Sequence, residues 1–123
     1  MLGNGDGLVS CGELNRFPRH RGEPPLVEPD SPRGRFWKQV RDRLRERTAQ
    51  LDFDRLAALE RRYAYHTGAL RTLVSIGEGS DQAQYDGYVR DLYESLFEVS
   101  GASTLIDSSK YPGRALRVHQ ALG

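Results

Sequence analysis

Cysteine is almost missing from this 123-residue chain: Cys11 stands alone, so no internal disulfide can form. A single thiol fits a reducing compartment, and a cytoplasmic location is expected. Lysine is scarce too, with only Lys38 and Lys110 among eighteen basic residues. No apolar run approaches the ~20 residues that cross a bilayer, so no membrane partner is expected. The N-terminus carries no charged start, apolar stretch and small-residue cleavage site. Net charge is lacking as well: at +1 the chain has no global attraction for nucleic acid or for an acidic partner. His20, His66 and His119 are far apart, without the short spacings of a zinc site, and no metal is expected.

What is present suits one domain with a modest core, 37% hydrophobic and 28% charged. Residues 1–14 hold a glycine-rich turn, a short strand at 8–11 and a Gly-Glu turn. Residues 15–32 form a loop, since five prolines from Pro18 to Pro32 forbid a regular helix. Residues 33–101 read as a helical insertion. Its first helix is expected over about 33–50, with Phe36, Val40 and Leu44 at helical spacing and Trp37 beside them. Its second, capped by Asp52 or Asp54, carries Phe53, Leu56, Leu59 and Tyr63 and runs to about 73 or 74. Residues 76–80 break it, and Ser80 or Asp81 caps a third, with Tyr85, Tyr88, Val89, Leu92, Leu96 and Val99 inward and Gly101 at its end. Residues 102–123 read as a buried strand at 103–107, a polar turn, and a helix starting at Pro112. Two strands joined by a long helical crossover are expected to be parallel, in an α/β layered domain.

Both strands end in polar residues, where open α/β sheets place their ligands. Gly12 permits a sharp turn that lifts Glu13 above the sheet edge, where a carboxylate can take a proton from a substrate hydroxyl. The plain alternative is a glutamate in the first turn of a short helix. Asp107, Ser108, Ser109 and Lys110 follow the second strand and meet a helix start, a combination of free N–H groups and ammonium that suits a phosphate or sulfonate. An ordinary capped turn is the alternative there.

Three stretches together resemble the sulfotransferase family, whose fold is related to P-loop kinases. Residues 2–14, with Gly12-Glu13 after the strand, resemble the end of the family's first helix, its second strand and the Gly-Glu that follows. Phe36-Trp37-Lys38-Gln39-Val40 is similar to the segment opening the helical insertion of bacterial members. Thr104-Leu105-Ile106-Asp107-Ser108-Ser109-Lys110-Tyr111-Pro112 resembles the family's strand-turn-helix. The resemblance implies a partial three-layer P-loop-type fold, two parallel strands with a large helical insertion. It implies 3′-phosphoadenylyl sulfate as donor and a hydroxyl or amine as acceptor. In protein-tyrosine sulfotransferases a glutamate of such a Gly-Glu pair is the general base, and Glu13 matches it. A lysine one residue before a Tyr/X-Pro step steadies the sulfonate there, which Lys110 matches. Arg16 matches an arginine of the same stretch that holds acceptor or glutamate, and Ser108 and Ser109 are further contacts at that turn. Sulfonate transfer spreads negative charge over equatorial oxygens, so placed cations plus one base suffice.

Two departures stand beside this. Gly3-Asn4-Gly5-Asp6-Gly7 has neither the Lys or Arg nor the Ser/Thr of a phosphosulfate-binding loop, and no stretch supplies the arginine and serine that hold the 3′-phosphate. A small kinase is disfavoured because no Walker-type lysine loop is present. The basic stretch at 33–47, seven cations against Asp42 and Glu46, reads as a solvated helix face and not as a nucleic-acid stripe. Cys11 and the helical tyrosines read as core. The rival from another class is a non-catalytic helical interaction module whose three apolar stripes dock on a partner, and exposed sheet edges predict marginal stability or self-association. From the two departures, the purified chain is expected to show little or no sulfonate transfer from 3′-phosphoadenylyl sulfate to a hydroxyl acceptor; robust turnover in a radiolabel assay contradicts that expectation.

Overall fold

The computed structural model describes residues 7–23, 27–64, 80–107, 118–119 and 122. Among them lie three α-helices and a two-stranded parallel sheet, a small mixed α/β arrangement. Strand β1 is Leu8–Ser10 and strand β2 is Thr104–Ile106, paired in parallel with Leu8 opposite Thr104 and Ser10 opposite Ile106. The pair is anchored at its start by the Gly7 carbonyl, which accepts from Ser103 N at 2.9 Å and Thr104 N at 2.8 Å. Gly7 itself has φ of 77°, a left-handed conformation that glycine adopts without steric cost.

Side chains alternate across a strand, so one face of each strand points inward. Val9 is buried at 2% exposure and Leu105, its register partner, packs against the core. Leu8 and Ile106 point the other way, at 37% and 44% exposed. The expectation of a buried second strand is therefore corrected: Thr104 and Ile106 are exposed and only Leu105 turns inward. The β-branched composition of that segment reported strand propensity, which says nothing about how many faces are covered.

Helix α1, Pro32–Arg47, begins where proline is favoured, and Ser31 caps it by accepting from Gly34 N at 3.0 Å. It stops three residues before the expected 50. Thr48 leaves in extended conformation while its N–H still closes on Leu44 O at 2.8 Å, and Gln50 has φ of 58°. The buried face is Gly34, Trp37, Val40 and Leu44, so Trp37 takes the core position and Phe36 is left half-buried. Helix α2, Phe53–Ala64, is capped by Asp52 and not by Asp54: Asp52 Oδ1 accepts from Asp54 N at 3.0 Å and Arg55 N at 3.1 Å. Among its described side chains Leu56 and Leu59 are buried, joined by Glu60 at 2% exposure.

Helix α3, Ser80–Ser100, is the central element. Tyr85, Val89, Leu92 and Leu96 are wholly buried and Tyr88 nearly so, facing Val40 and Leu44 of α1 and Leu56 and Leu59 of α2 within one core. Gly101 ends it with φ of 67° and donates to Phe97 O at 2.9 Å, the expected glycine stop. Val118, helical and half-buried, also packs on this core. The expected continuation of the second helix to 73 or 74, the break at 76–80 and the helix start at Pro112 lie outside the described residues.

The lopsided charge of the sequence finds a structural partner. Basic α1 lies along acidic α3, and Arg47 reaches Glu94 at 2.7 Å and Glu98 at 2.5 Å while Arg43 reaches Glu98 at 3.4 Å. Exposed pairs of this kind contribute only about 0–1 kcal/mol each, so they orient the helices more than they hold them. Among the described residues no helix is long and apolar enough to cross a membrane.

Gly34 generates a prediction with an unusual sign. Replacing a helical glycine by alanine ordinarily stabilises, by up to about 0.5–1 kcal/mol in a helix interior. A Cβ at Gly34, however, would sit 2.1 Å from Glu28 O and 2.6 Å from Pro29 O, both backbone atoms of the preceding loop. Gly34→Ala is expected to destabilise by about 1–3 kcal/mol, read as a lower melting temperature by circular dichroism; a raised melting temperature would show that the loop does not pack there.

Candidate functional site

The site lies at the carboxyl ends of the two strands and is built by backbone first. Cys11 N donates to Ile106 O at 3.0 Å, which extends the parallel ladder one step past β1. Gly12 then turns the chain with φ of 70°, a value that strains residues with a Cβ. Glu13 follows in extended conformation and precedes a single 3₁₀ turn, Leu14–Arg16. The turn places Arg16 Nε 2.9 Å from Glu13 Oε2, so the guanidinium orients the carboxylate. Glu13 is partly exposed, with its side chain at 29%, whereas Arg16 lies mostly in solvent at 54%.

Below this turn the core is aromatic. Phe17 stacks tilted against Trp37 at 5.7 Å and edge-on against Phe53 at 6.0 Å, which fastens the start of the proline-rich loop to α1 and α2. A cavity of about 240 Å³ opens between the Gly12-Glu13 turn, the loop and α1, with Glu13, Arg16, His20, Arg33, Phe17 and Trp37 in its wall. That volume lies below the ~300–1,000 Å³ typical of drug-sized ligand sites, so it suits one ring or a small headgroup.

The second strand enters the site through Asp107. Its Oδ1 accepts from Leu14 N at 3.2 Å, across 93 residues of sequence, and its Oδ2 accepts from the Tyr93 hydroxyl at 2.5 Å. Tyr88, equally buried on α3, finds no such partner among the described residues. The structure thus brings Glu13, Arg16 and Asp107 together at one sheet edge. Ser108, Ser109 and Lys110 lie outside the described residues. Among the described residues no cluster of His, Cys, Asp and Glu could hold a metal ion.

No protein-family model, no curated protein and no solved structure matches this chain. The chemistry of the site therefore rests on its geometry.

Sequence reasoning missed Tyr93, which reads as one more core position beside Leu92, and it gave His20 no role beyond excluding a zinc site. Neither carries a local signal: Tyr93 meets Asp107 only because α3 runs back beneath the sheet, and His20 reaches the cavity through the fold of a proline-rich loop. Lys38, Arg43 and Arg45 of α1 pair with Asp42 or Glu46 on the same helix, as a solvated face requires, whereas Arg41 turns inward and donates to Gly22 O at 2.9 Å.

Burial dominates the titration of the interior groups here. It pushes the Cys11 thiol from 9.0 up to about 12, with the Asp107 charge adding to the effect. The Tyr93 hydroxyl is likewise raised, by burial first and by Asp107 second. A thiol whose folded pKa exceeds its unfolded one holds its proton longer when folded, so its stabilising contribution is complete below pH 9.0 and is lost as pH climbs toward about 12. Stability measured by urea melts is expected to fall through that window, and the slope is expected to be shallower in Cys11→Ala; equal slopes in the two proteins would contradict the burial of Cys11. In the folded chain at pH 7.5, alkylation of Cys11 is expected only at the rate of unfolding.

Proposed function

We propose that the sheet edge of this chain is the acceptor side of a sulfotransferase-like site, in a P-loop-type layered fold of which the parallel pair and its helical insertion are a part. The observation that carries the reading is the bond from Leu14 N to Asp107. It joins the Gly12-Glu13 turn to Asp107 at the end of β2, residues separated by most of the chain that belong to the two stretches resembling the family's site. Such adjacency at the carboxyl ends of parallel strands is where open α/β sheets gather their catalytic groups.

In this reading the acceptor, a hydroxyl or an amine, enters the cavity beside Glu13. Its oxygen or nitrogen attacks the sulfur of 3′-phosphoadenylyl sulfate, and its proton passes to the Glu13 carboxylate. The bond from sulfur to the bridging phosphate oxygen breaks, and adenosine 3′,5′-bisphosphate leaves. Arg16 orients Glu13, as its 2.9 Å contact supports. Lys110 steadies the charge that grows on the bridging and equatorial oxygens, with Ser108 and Ser109 at the same turn. The site asks for no metal.

The rival reading, a helical module that docks its apolar stripes on a partner, receives less support. Val40, Leu44, Tyr85, Leu92 and Leu96 are buried against one another, so the stripes of α1 and α3 are already occupied.

Calorimetric titration with adenosine 3′,5′-bisphosphate tests the proposal. With both nucleotide-holding segments lacking, binding is expected only in the millimolar range, weakened further by Lys110→Ala and little changed by Glu13→Gln, since the glutamate serves the acceptor and not the nucleotide. A folded chain that takes up no bisphosphate at millimolar concentration overturns the reading.

A further inference from the structure

We propose that Asp107, held by Tyr93, is the positioning residue that sets the Glu13 turn against the carboxyl end of β2. The inference rests on the sulfotransferase-like reading for its purpose, although the contact itself does not.

Glu13 has little local support of its own. It precedes a single 3₁₀ turn with no side-chain cap, after a glycine in left-handed conformation. Short 3₁₀ pieces have poor hydrogen-bond geometry and need outside contacts to persist. Arg16 is mostly exposed and moves with the same turn, so its ion pair orients the carboxylate without fixing where the turn lies. The fixed points are elsewhere. Leu14, at 1% exposure, plugs the turn into the core, and its N–H is one of those that open the 3₁₀ turn. Asp107 Oδ1 takes that N–H at 3.2 Å, a charge-assisted bond in a part-buried place.

Asp107 in turn follows directly on the three-residue strand β2. The Tyr93 hydroxyl holds its carboxylate, donating to Oδ2 at 2.5 Å from the middle of α3, the most deeply buried helix. Tyr93 is itself 5% exposed, so its ring cannot relax away from the contact without opening the core. The result is a line from α3 through Tyr93 and Asp107 to Leu14 and so to its neighbour Glu13. Both carboxylate oxygens are engaged by donors from different elements, which fixes the rotation of the carboxylate as well as its place. A base that must meet an acceptor proton within hydrogen-bond reach needs this kind of fixed support, because displacement of about 1 Å costs on the order of a hundredfold in rate.

Nuclear magnetic resonance of the 123-residue chain tests the line without requiring turnover. Tyr93→Phe removes one hydroxyl from a well-packed ring and is expected to leave the Val40 and Leu44 signals of the core in place. It should shift the Glu13 and Leu14 amide signals, move the Glu13 side-chain carboxyl carbon, and speed hydrogen exchange at Leu14 N about tenfold. Asp107→Ala should speed that exchange further, while Asp107→Asn, which keeps one carbonyl acceptor for Leu14 N, should restore most of the protection. Unchanged Glu13 and Leu14 signals in both Tyr93→Phe and Asp107→Ala, with the core signals intact, overturn the proposal. Loss of bisphosphate binding by the unmodified chain would sink the sulfotransferase-like reading alone, since the Leu14 and Glu13 signals report the positioning directly.

Discussion

One carboxylate bridges the two ends of this chain. Asp107 accepts from Leu14 N and from the Tyr93 hydroxyl, and with the parallel pairing of Val9 and Leu105 it holds together segments nearly a hundred residues apart. A parallel pair cannot be closed by a tight turn, so the sheet exists only because the intervening helices fold back and return β2 to β1. Loop closure over that distance is entropically costly, and the cost is met by the apolar core of α1, α2 and α3 and not by three residue pairs of ladder.

The helices accordingly have a double duty. Trp37, Val40 and Leu44 of α1 and Tyr85, Val89, Leu92 and Leu96 of α3 form the interior that makes the chain fold. The same helices place chemistry at its surface: Trp37 lines the cavity beside Glu13, and Tyr93 reaches Asp107 from the buried side of α3. Arginines of α1 and acids of α3 then complete the contact at the rim, where solvent screens them. Core, positioning and surface charge are three consequences of one helix pairing.

Much of the site's character follows from what burial does to polar groups. A carboxylate brought under the sheet edge must have donors, and it has them from a backbone N–H and a phenol. The thiol of Cys11 is pushed toward its neutral form by the same surroundings, so it behaves as a small core residue although it stands beside the site. Glu13, one turn further out, stays partly in water with a guanidinium for company. Two carboxylates at one sheet edge thus have different partners, Asp107 bonded by Leu14 N and the Tyr93 hydroxyl and Glu13 paired with Arg16.

Sequence by itself determined the order of the two strands and three helices, the parallel pairing, the inward face of α3, Leu56 and Leu59 of α2, the glycine stop at Gly101 and the left-handed turn at Gly12. Each is written in local signals: periodicity, capping residues and glycine at a left-handed angle. It also named Asp107 within a polar turn, without its partners. Tertiary structure alone decided that Trp37 and not Phe36 enters the core, that Asp52 and not Asp54 caps α2, and that β2 exposes one face. It alone decided that Tyr93 clasps Asp107 and that His20 and Arg33 share a cavity with Glu13. Those outcomes depend on which elements pack together, and packing joins residues that no local pattern places side by side.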